Sequence, residues 1–173
     1  MKVIATKLNG IKILKPILHE DKRGFFYEAF NQNKLRKIIK KNFVIKQANV
    51  SFSKKNVFRG FHYQINPYKQ AKIVRVLNGE ILDIVICLDK KSKNYLREYS
   101  IKLSSKNKKI IFIPSNFAHG FLVLSKTAII EYFTSSRYSK KHERTLHYSK
   151  SKINYILKKF TKKIIISDKD NQQ

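Results

Sequence analysis

Two histidines with aromatic neighbours are the side chains of this sequence best suited to proton transfer. His62 lies in the segment RGFHYQ at 59–64, and His119 directly precedes a glycine and an apolar, strand-like run. An imidazole ionises near neutral pH and can therefore act as a general acid or base. On a regular strand, the spacing of three residues from Arg59 to His62 places these two side chains on opposite faces. A bend at Gly60 could bring them together.

A metal site is the first alternative for paired histidines in a small barrel. Such sites usually take three or four ligands, with a second His or a carboxylate close in sequence. His62 is followed by Tyr63 and Gln64, with no His-x-His pattern and no Glu nearby. We therefore interpret the two histidines as acid–base groups and predict that the protein holds no metal. The glycine patterns of dinucleotide and phosphate loops are also absent from the sequence, so we expect no nucleotide cofactor.

The net charge of +27, from 38 Lys and Arg against 11 Asp and Glu, first suggests a nucleic-acid partner. Basic patches attract phosphates and release counterions. The lysines, however, are spread along the whole chain, and arginine is the minority. Proteins that read nucleic acids more often concentrate arginine on one element. We therefore predict solvated lysine-rich faces and no nucleic-acid partner.

Length and composition predict a single domain spanning residues 1–173. This length falls within the usual size of a domain, and a hydrophobic content of 42% is enough for a core. A single cysteine, Cys87, excludes an intrachain disulfide framework. No apolar run approaches the length of a membrane-spanning helix, and the N-terminal segment lacks the apolar core of a signal peptide. We expect a cytoplasmic protein with no membrane association.

The elements that must position the histidines read mostly as short strands. Residues 72–86, KIVRVLNGEILDIVI, form two β-branched runs joined at Asn78-Gly79, a strong hairpin signal. Many short strands at close spacing are typical of a closed all-β barrel or sandwich with small helices at its margins. Further strands are predicted at Ile110–Pro114, Gly120–Leu124 and Ala128–Thr134, and helical turns at Asn33–Lys41 and Ile153–Phe160.

Eight blocks of sequence, in order along nearly the whole chain, carry a family resemblance. They are 21–28 (DKRGFFYE), 43–49 (FVIKQAN), 59–64 (RGFHYQ), 70–76 (QAKIVRV), 79–83 (GEILD), 113–125, 132–138 and 167–170 (SDKD). The set resembles the dTDP-4-dehydrorhamnose 3,5-epimerases. Any one block is weak, but the ordered set is highly specific.

The resemblance implies a cupin-type jelly-roll barrel, a homodimer, and an epimerase that needs no cofactor. Its substrate would be a dTDP-linked 4-keto-6-deoxyhexose, on the way to dTDP-L-rhamnose or a related sugar. The chemistry would remove a proton beside a carbonyl, form an enolate and return a proton on the opposite face. Such a site needs a base, a cation near the developing oxyanion and an acid opposite the base.

The family's functional residues map onto named positions of this sequence. By this resemblance, His62 would be the base, Asp170 would orient and polarise it, Tyr138 would be the opposite acid, and Lys72 would stabilise the enolate oxygen. The other implied residues bind substrate: Tyr132, Asp83 and His119 line the sugar pocket, Arg23 and Arg59 hold the diphosphate, and Phe26, Glu28, Gln47 and Asn49 contact the nucleotide, partly from the neighbouring subunit.

Departures from the family pattern keep other functions open. Ala48 stands where the family commonly has Asp, Val50 where a polar residue is common, and Cys87 where a second strand Asp is frequent. Such changes bear on which sugar and which nucleotide bind, and on whether both C3 and C5 are epimerised. The alternatives are a C3-only epimerase or ketoisomerase for another nucleotide 4-ketosugar, a non-catalytic cupin-like module that binds polyanions, and a metal-dependent cupin oxygenase. The missing His-x-His pattern disfavours the last of these.

Overall fold

Short antiparallel strands dominate the computed structural model, which describes residues 1–39, 43–146 and 153–171. None of the helices in these three ranges is long and apolar enough to cross a membrane. The helices are α1 (Gln32–Ile39), α2 (Ile153–Lys158) and α3 (Asp168–Asn171), with a short 3-10 helix at Lys140–His142. The strands are β1 (Lys2–Ala5), β2 (Lys12–Lys15), β3 (His19–Asp21), β4 (Gly24–Phe26), β5 (Gln47–Lys54), β6 (Phe58–Gln64), β7 (Lys72–Asn78), β8 (Glu80–Cys87), β9 (Glu98–Ser104), β10 (Ile110–Ile113), β11 (Phe117–Val123), β12 (Thr127–Thr134) and β13 (Glu143–Thr145).

Two antiparallel sheets pack against each other and enclose the core. One has six strands in the order β1-β2-β10-β7-β12-β5, and the other has five in the order β13-β6-β11-β8-β9. Apolar side chains of both sheets meet between them, such as Val74 and Ile130 from the first and Val85 and Phe121 from the second. Because burying apolar surface is the main favourable term in folding, this shared core holds the sheets together. Strands β3 and β4 form a separate two-stranded sheet.

Helices cover part of the outer face of each sheet. On the six-stranded sheet, Leu35 and Ile39 of α1 pack against Ile73 of β7. On the five-stranded sheet, Leu157 of α2 packs in a cluster with Ile84 of β8. Strand β8 is therefore buried on both faces, which explains why its sequence is an almost unbroken apolar run instead of an alternating one.

The sequence prediction of a hairpin at Asn78-Gly79 is wrong, although both of its strands are present. Strand β7 pairs with β10 and β12, whereas β8 pairs with β9 and β11. The tight turn therefore carries the chain from one sheet to the other. A turn signal indicates where the chain reverses, but the packing of the two sheets decides which strands become neighbours.

The other predicted elements are confirmed, with shifted ends. Strands β10 and β12 lie within one residue of their predicted bounds, but β11 begins at Phe117 and so includes His119. The two predicted helices correspond to α1 and α2, the second of which ends at Lys158. Residues 40 and 41 of the first predicted helix lie outside the described ranges.

The corner between the sheets requires glycine at position 79. Gly79 has a φ of +83°, in the left-handed region that favours glycine. A Cβ atom there would lie 2.2 Å from the carbonyl oxygen of Thr127 and 3.0 Å from Cα of Ala128. Both neighbours are backbone atoms, so relief of the clash requires the strand itself to move.

We expect Gly79→Ala to lower the free energy of unfolding by about 2–4 kcal/mol, because it combines a left-handed φ with a backbone clash. Urea denaturation measures the change. Gly24→Ala is the matched control, since Gly24 has a φ of +128° but no atom within 4 Å of the added Cβ. Its expected loss is about 1 kcal/mol. Equal losses in the two variants would show that the close approach at the corner has no energetic effect.

Candidate active site

A cavity of about 390 Å³ lies between strands of the two sheets. Of the 13 predicted site residues, eight line this cavity. Asp83 and Asp170 are hydrogen-bonded to histidines that line it. Arg23, Phe26 and Glu28 lie outside it. The eight predicted site residues that line it are Gln47, Asn49, Arg59, His62, Lys72, His119, Tyr132 and Tyr138.

An irregularity in β6 brings Arg59 and His62 to the same cavity. His62 pairs with His119 and Arg59 pairs with Phe121, so three steps along β6 match two steps along β11. The extra residue interrupts the alternation of β6, as a β-bulge does, and both side chains reach the same side. This is the change of direction that the sequence suggested near Gly60.

His62 and Asp170 form a hydrogen-bonded pair at the cavity, although 108 residues separate them in sequence. A distance of 2.5 Å joins Nε2 of His62 to Oδ1 of Asp170. The second carboxylate oxygen accepts a hydrogen bond from the backbone N–H of Gly60 at 3.3 Å. Burial alone raises the pKa of Asp170, but the hydrogen bonds from His62 and Gly60 outweigh it and hold that pKa below its usual range.

Backbone pairing carries the C-terminal segment to β6. The N–H of Phe58 donates to the carbonyl of Ile165 at 2.8 Å, and the N–H of Ile165 donates to the carbonyl of Asn56 at 2.9 Å. At the start of α3, the hydroxyl oxygen of Ser167 accepts a hydrogen bond from the N–H of Asp170 at 3.3 Å. These contacts fold Asp170 back onto His62, a placement that the sequence alone left open.

A second pair of a histidine and a carboxylate lies beside the first. His119 is the cross-strand neighbour of His62, and its Nε2 lies 2.7 Å from Oδ2 of Asp83. Asp83 is fully buried, and its other oxygen, Oδ1, has no hydrogen-bond partner within the described part of the chain. Asp83 therefore lies behind His119 and orients its ring, instead of lining the cavity as expected from the resemblance.

Lys72 places a cation in the buried wall of the cavity. Its Nζ donates a hydrogen bond to the carbonyl of His62 at 3.3 Å. Loss of hydration lowers the pKa of Lys72 to about 8, although the negative charges of Asp83 and Glu143 act to raise it. The ammonium group is therefore mostly charged at neutral pH and loses its proton at mildly alkaline pH.

Tyr138 lies at the rim of the cavity and is 50% exposed. Its hydroxyl donates a hydrogen bond to Oε2 of Glu143 at 2.8 Å, and this bond raises the pKa of Tyr138. Glu143 also accepts a hydrogen bond from Nζ of Lys169. Burial opposes the charged form of Glu143, but the bonds from Lys169 and Tyr138 outweigh it and lower the pKa of that carboxyl. The phenol of Tyr138 thus stays protonated beside a charged carboxylate.

Sequence reasoning missed Glu143 and Lys169, which both line the cavity. The signals for them are weak: Glu143 is one of only 11 acidic residues in a basic chain, and Lys169 directly precedes Asp170. Neither signal reveals that the two side chains pair with each other.

The remaining cavity residues are held by polar contacts or burial. Nε2 of Gln47 donates to Oδ1 of Asn49 at 2.7 Å, and Nε of Arg59 donates to Oγ of Ser53 at 2.9 Å. Tyr132 is half-buried, and this burial raises the pKa of its hydroxyl. The guanidinium of Arg59 gives the cavity a planar donor fork suited to phosphate oxygens.

Arg23, Phe26 and Glu28 do not line the cavity of their own chain. Arg23 pairs with Asp21 at 2.5 Å, and Glu28 pairs with Lys34 at 2.8 Å. Phe26 is 70% exposed at the end of β4. The fold of one chain therefore leaves these three residues apart from the other predicted site residues.

The cavity contains the groups needed to move a proton beside a carbonyl. It has an imidazole oriented by a carboxylate, a buried ammonium group and a protonated phenol. These groups can act respectively as base, oxyanion stabiliser and acid. Among the described residues, no three His, Cys, Asp or Glu side chains are grouped so as to hold a metal ion.

Comparison with known sequences identifies a family. The family model described as dTDP-4-dehydrorhamnose 3,5-epimerase matches residues 5–173. The dTDP-4-dehydrorhamnose 3,5-epimerase of Shigella flexneri is 39% identical over 170 residues, which cover 98% of this chain and 93% of the relative.

Solved structures agree with the sequence comparison. The dTDP-6-deoxy-D-glucose-3,5-epimerase of Legionella pneumophila, in complex with dTDP-4-keto-L-rhamnose, has a TM-score of 0.90 and 33% identity over 98% of this chain and 89% of that one. The dTDP-4-dehydrorhamnose 3,5-epimerase of Bacillus anthracis, with TDP and PPi bound, has a TM-score of 0.90 and 33% identity over 98% of this chain and 95% of that one. The cupin-type jelly roll predicted from the resemblance is confirmed, and the chain belongs to the dTDP-4-dehydrorhamnose 3,5-epimerase family.

Proposed function

We propose that the protein epimerises a dTDP-linked 4-keto-6-deoxyhexose at C3 and C5, a step towards dTDP-L-rhamnose. Family membership and the likeness to structures that contain dTDP-4-keto-L-rhamnose or TDP support this substrate class. The observation that carries the proposal is the meeting of the His62–Asp170 pair, the Lys72 ammonium and the Tyr138 phenol at one cavity. Because a C4 carbonyl acidifies the protons on both adjacent carbons, one set of groups serves C3 and C5.

His62 is the general base of the proposed reaction. Asp170 holds Nε2, so Nδ1 is the nitrogen left to take the proton from carbon. The imidazolium that forms is stabilised by the adjacent carboxylate, as in other His–Asp pairs. The lowered pKa of Asp170 keeps this carboxylate charged throughout.

Lys72 stabilises the intermediate. When the C–H bond beside the carbonyl breaks, the electron pair of that bond forms the C=C bond of the enolate, and negative charge moves to the C4 oxygen. A fixed cation in a buried site stabilises such charge more strongly than it would in water. His119, oriented by Asp83, and Tyr132 line the same cavity and bind the sugar.

Tyr138 returns a proton to carbon on the face opposite His62. Its raised pKa keeps the hydroxyl protonated, so a proton is available when the enolate forms. The phenolate then regains a proton from water, and the His62 imidazolium releases one. The carbon skeleton undergoes no net oxidation or reduction, so the reaction balances with no cofactor.

The dTDP group binds at the cavity rim, where Arg59 holds the diphosphate and Gln47 and Asn49 contact the nucleotide. Arg59 provides the planar donor fork that suits phosphate oxygens.

The chain acts as a single domain over residues 1–173, in the cytoplasm, with no nucleic-acid or membrane partner.

A homodimer completes the nucleotide site in this proposal. Arg23, Phe26 and Glu28 lie outside the cavity of their own chain. Arg23 is highly exposed in the turn between β3 and β4, and Phe26 is highly exposed at the end of β4. An exposed arginine and an exposed aromatic ring fit the diphosphate and base of a nucleotide bound in a second copy.

In D₂O, we expect the enzyme to place deuterium at both C3 and C5 of dTDP-4-keto-6-deoxyglucose, because each epimerisation exchanges a carbon-bound proton for one from solvent. Mass spectrometry and NMR of the recovered sugar locate the label. Label at C3 alone would show that the enzyme epimerises C3 and not C5. No label on any nucleotide 4-ketosugar would favour the binding module.

We expect His62→Ala to lower the rate of deuterium exchange by about 10²–10⁴-fold, because it removes the general base. Asp170→Asn, which keeps the shape but not the charge, is expected to lower it by about 10²-fold or more. Asp168→Asn is the matched control, because Asp168 is an exposed carboxylate on the same short helix. Size-exclusion chromatography should show the same oligomer for all variants. Exchange at the wild-type rate in His62→Ala would remove His62 from the role of base.

We expect kcat/KM to decline as pH rises through about 8, where Lys72 loses its proton. The active form of Lys72 is the charged ammonium, which is present below its pKa and lost above it. In Lys72→Arg the cation persists to higher pH, so the residual activity should lack this decline. Tyr138→Phe should still show the decline, because the pKa of Tyr138 is raised above that of an ordinary phenol and its titration therefore does not cause the decline. A decline that persists in Lys72→Arg would assign it to another group.

A further inference from the structure

Three glutamine side chains hold the backbone around Tyr138, and we propose that they position its phenol for the second proton transfer. We call Gln47, Gln64 and Gln70 the glutamine clamp. The inference rests on the proposed role of Tyr138 as the acid. It adds positioning residues that act through Tyr138 and do not touch the reacting carbon.

Tyr138 needs such support because of where it lies in the chain. It follows the end of β12 at Thr134 and precedes the 3-10 helix, in a segment without strand pairing. Its ring is half exposed, and its hydroxyl is hydrogen-bonded to Glu143. Irregular segments at a surface gain their precision from contacts that fix the backbone, since ordering them opposes conformational entropy.

Gln64 is the centre of the clamp and binds peptide groups on both sides of Tyr138. Its Nε2 donates to the carbonyl of Arg137 at 3.0 Å, and its Oε1 accepts from the N–H of Ser139 at 2.6 Å. A third bond runs from Nε2 to the carbonyl of Tyr68 at 2.7 Å. The side chain is almost completely buried, and both N–H donors and the carbonyl oxygen of its amide are used.

The other two glutamines hold neighbouring groups of the same segment. Oε1 of Gln47 accepts the backbone N–H of Tyr138 itself at 2.8 Å. Nε2 of Gln70 donates to the carbonyl of Ser136 at 2.9 Å. The segment that contains Tyr138 is therefore anchored from β5, from β6 and from the residues just before β7.

Strand β6 links the base to the acid through Gln64. His62 and Gln64 are two residues apart on this strand, so their side chains leave it on the same face. One strand thus carries the proposed base and also anchors the segment of the proposed acid at the same cavity. The separation of base and acid matters because a misplacement of about 1 Å can lower a rate by about 10²-fold.

The test replaces Gln64 with Met, which preserves size but removes the amide. The starting substrate is dTDP-4-keto-6-deoxyglucose in D₂O. Two rates are measured: deuterium uptake without inversion, which needs only His62, and formation of the inverted sugar, which also needs Tyr138. We expect inversion to fall by about 10–100-fold and uptake by less than about 3-fold. A purely structural role would lower both rates in the same proportion and would leave their ratio unchanged.

Gln32→Met is the matched control. Nε2 of Gln32 donates to the backbone carbonyl of Phe43, a bond of the same type at α1, and Gln32 does not line the cavity. We expect the ratio of uptake to inversion to stay at its wild-type value. Gln70→Met, at the edge of the clamp, should shift the ratio in the same direction as Gln64→Met but by less. If Gln64→Met does not fold, Gln70→Met is the test variant instead.

A double-mutant cycle shows whether Gln64 acts through Tyr138. In a Tyr138→Phe background, Gln64→Met should change the residual inversion rate by less than about 2-fold, because the group that it positions is already absent. If Gln64→Met lowers inversion in the Tyr138→Phe background by as much as it does in the wild-type enzyme, Gln64 does not act through Tyr138 and the clamp is overturned. An active wild-type enzyme with an unaltered ratio in Gln64→Met would reject the clamp alone. A wild-type enzyme without exchange would reject the proposed function itself.

Discussion

The hydrogen bond between His62 and Asp170 is the contact on which the proposed site depends most. The pairing of Ile165 with the start of β6 brings the C-terminal segment, and with it Asp170, to His62. The same segment delivers Lys169 to Glu143, which holds the hydroxyl of Tyr138. Groups proposed to act on opposite faces of the sugar therefore share one short support, and displacing it removes a contact from both.

The strands were predictable because each is marked by a local pattern. Strands β7, β10 and β12 are runs of β-branched and aromatic residues with clear ends, and the turn at Gly79 has its own signal. Strand pairing is not local, which is why β7 and β8 were assigned to a hairpin although they belong to different sheets. The extra residue in β6 was foreseen only as a bend, because register depends on the partner strand.

The site was predictable where motifs fall on strands. His62 and Lys72 belong to blocks typical of the family, and the strands that carry them take both to the cavity. Glu143 and Gln64 escaped selection because their contacts are with an irregular segment, and no spacing in the sequence reveals which peptide groups a side chain will meet. Arg23 was selected, but one chain alone does not bring it to the cavity.

The cavity has one wall from each sheet, with Lys72 and Tyr132 on the six-stranded sheet and His62 and His119 on the five-stranded one. Packed sheets lie about 10 Å apart, at a distance set by the side chains between them. The width of the site is therefore a property of the hydrophobic core. A change of volume at a position such as Val85 moves one wall relative to the other, so sugar preference can evolve through residues that never meet a sugar.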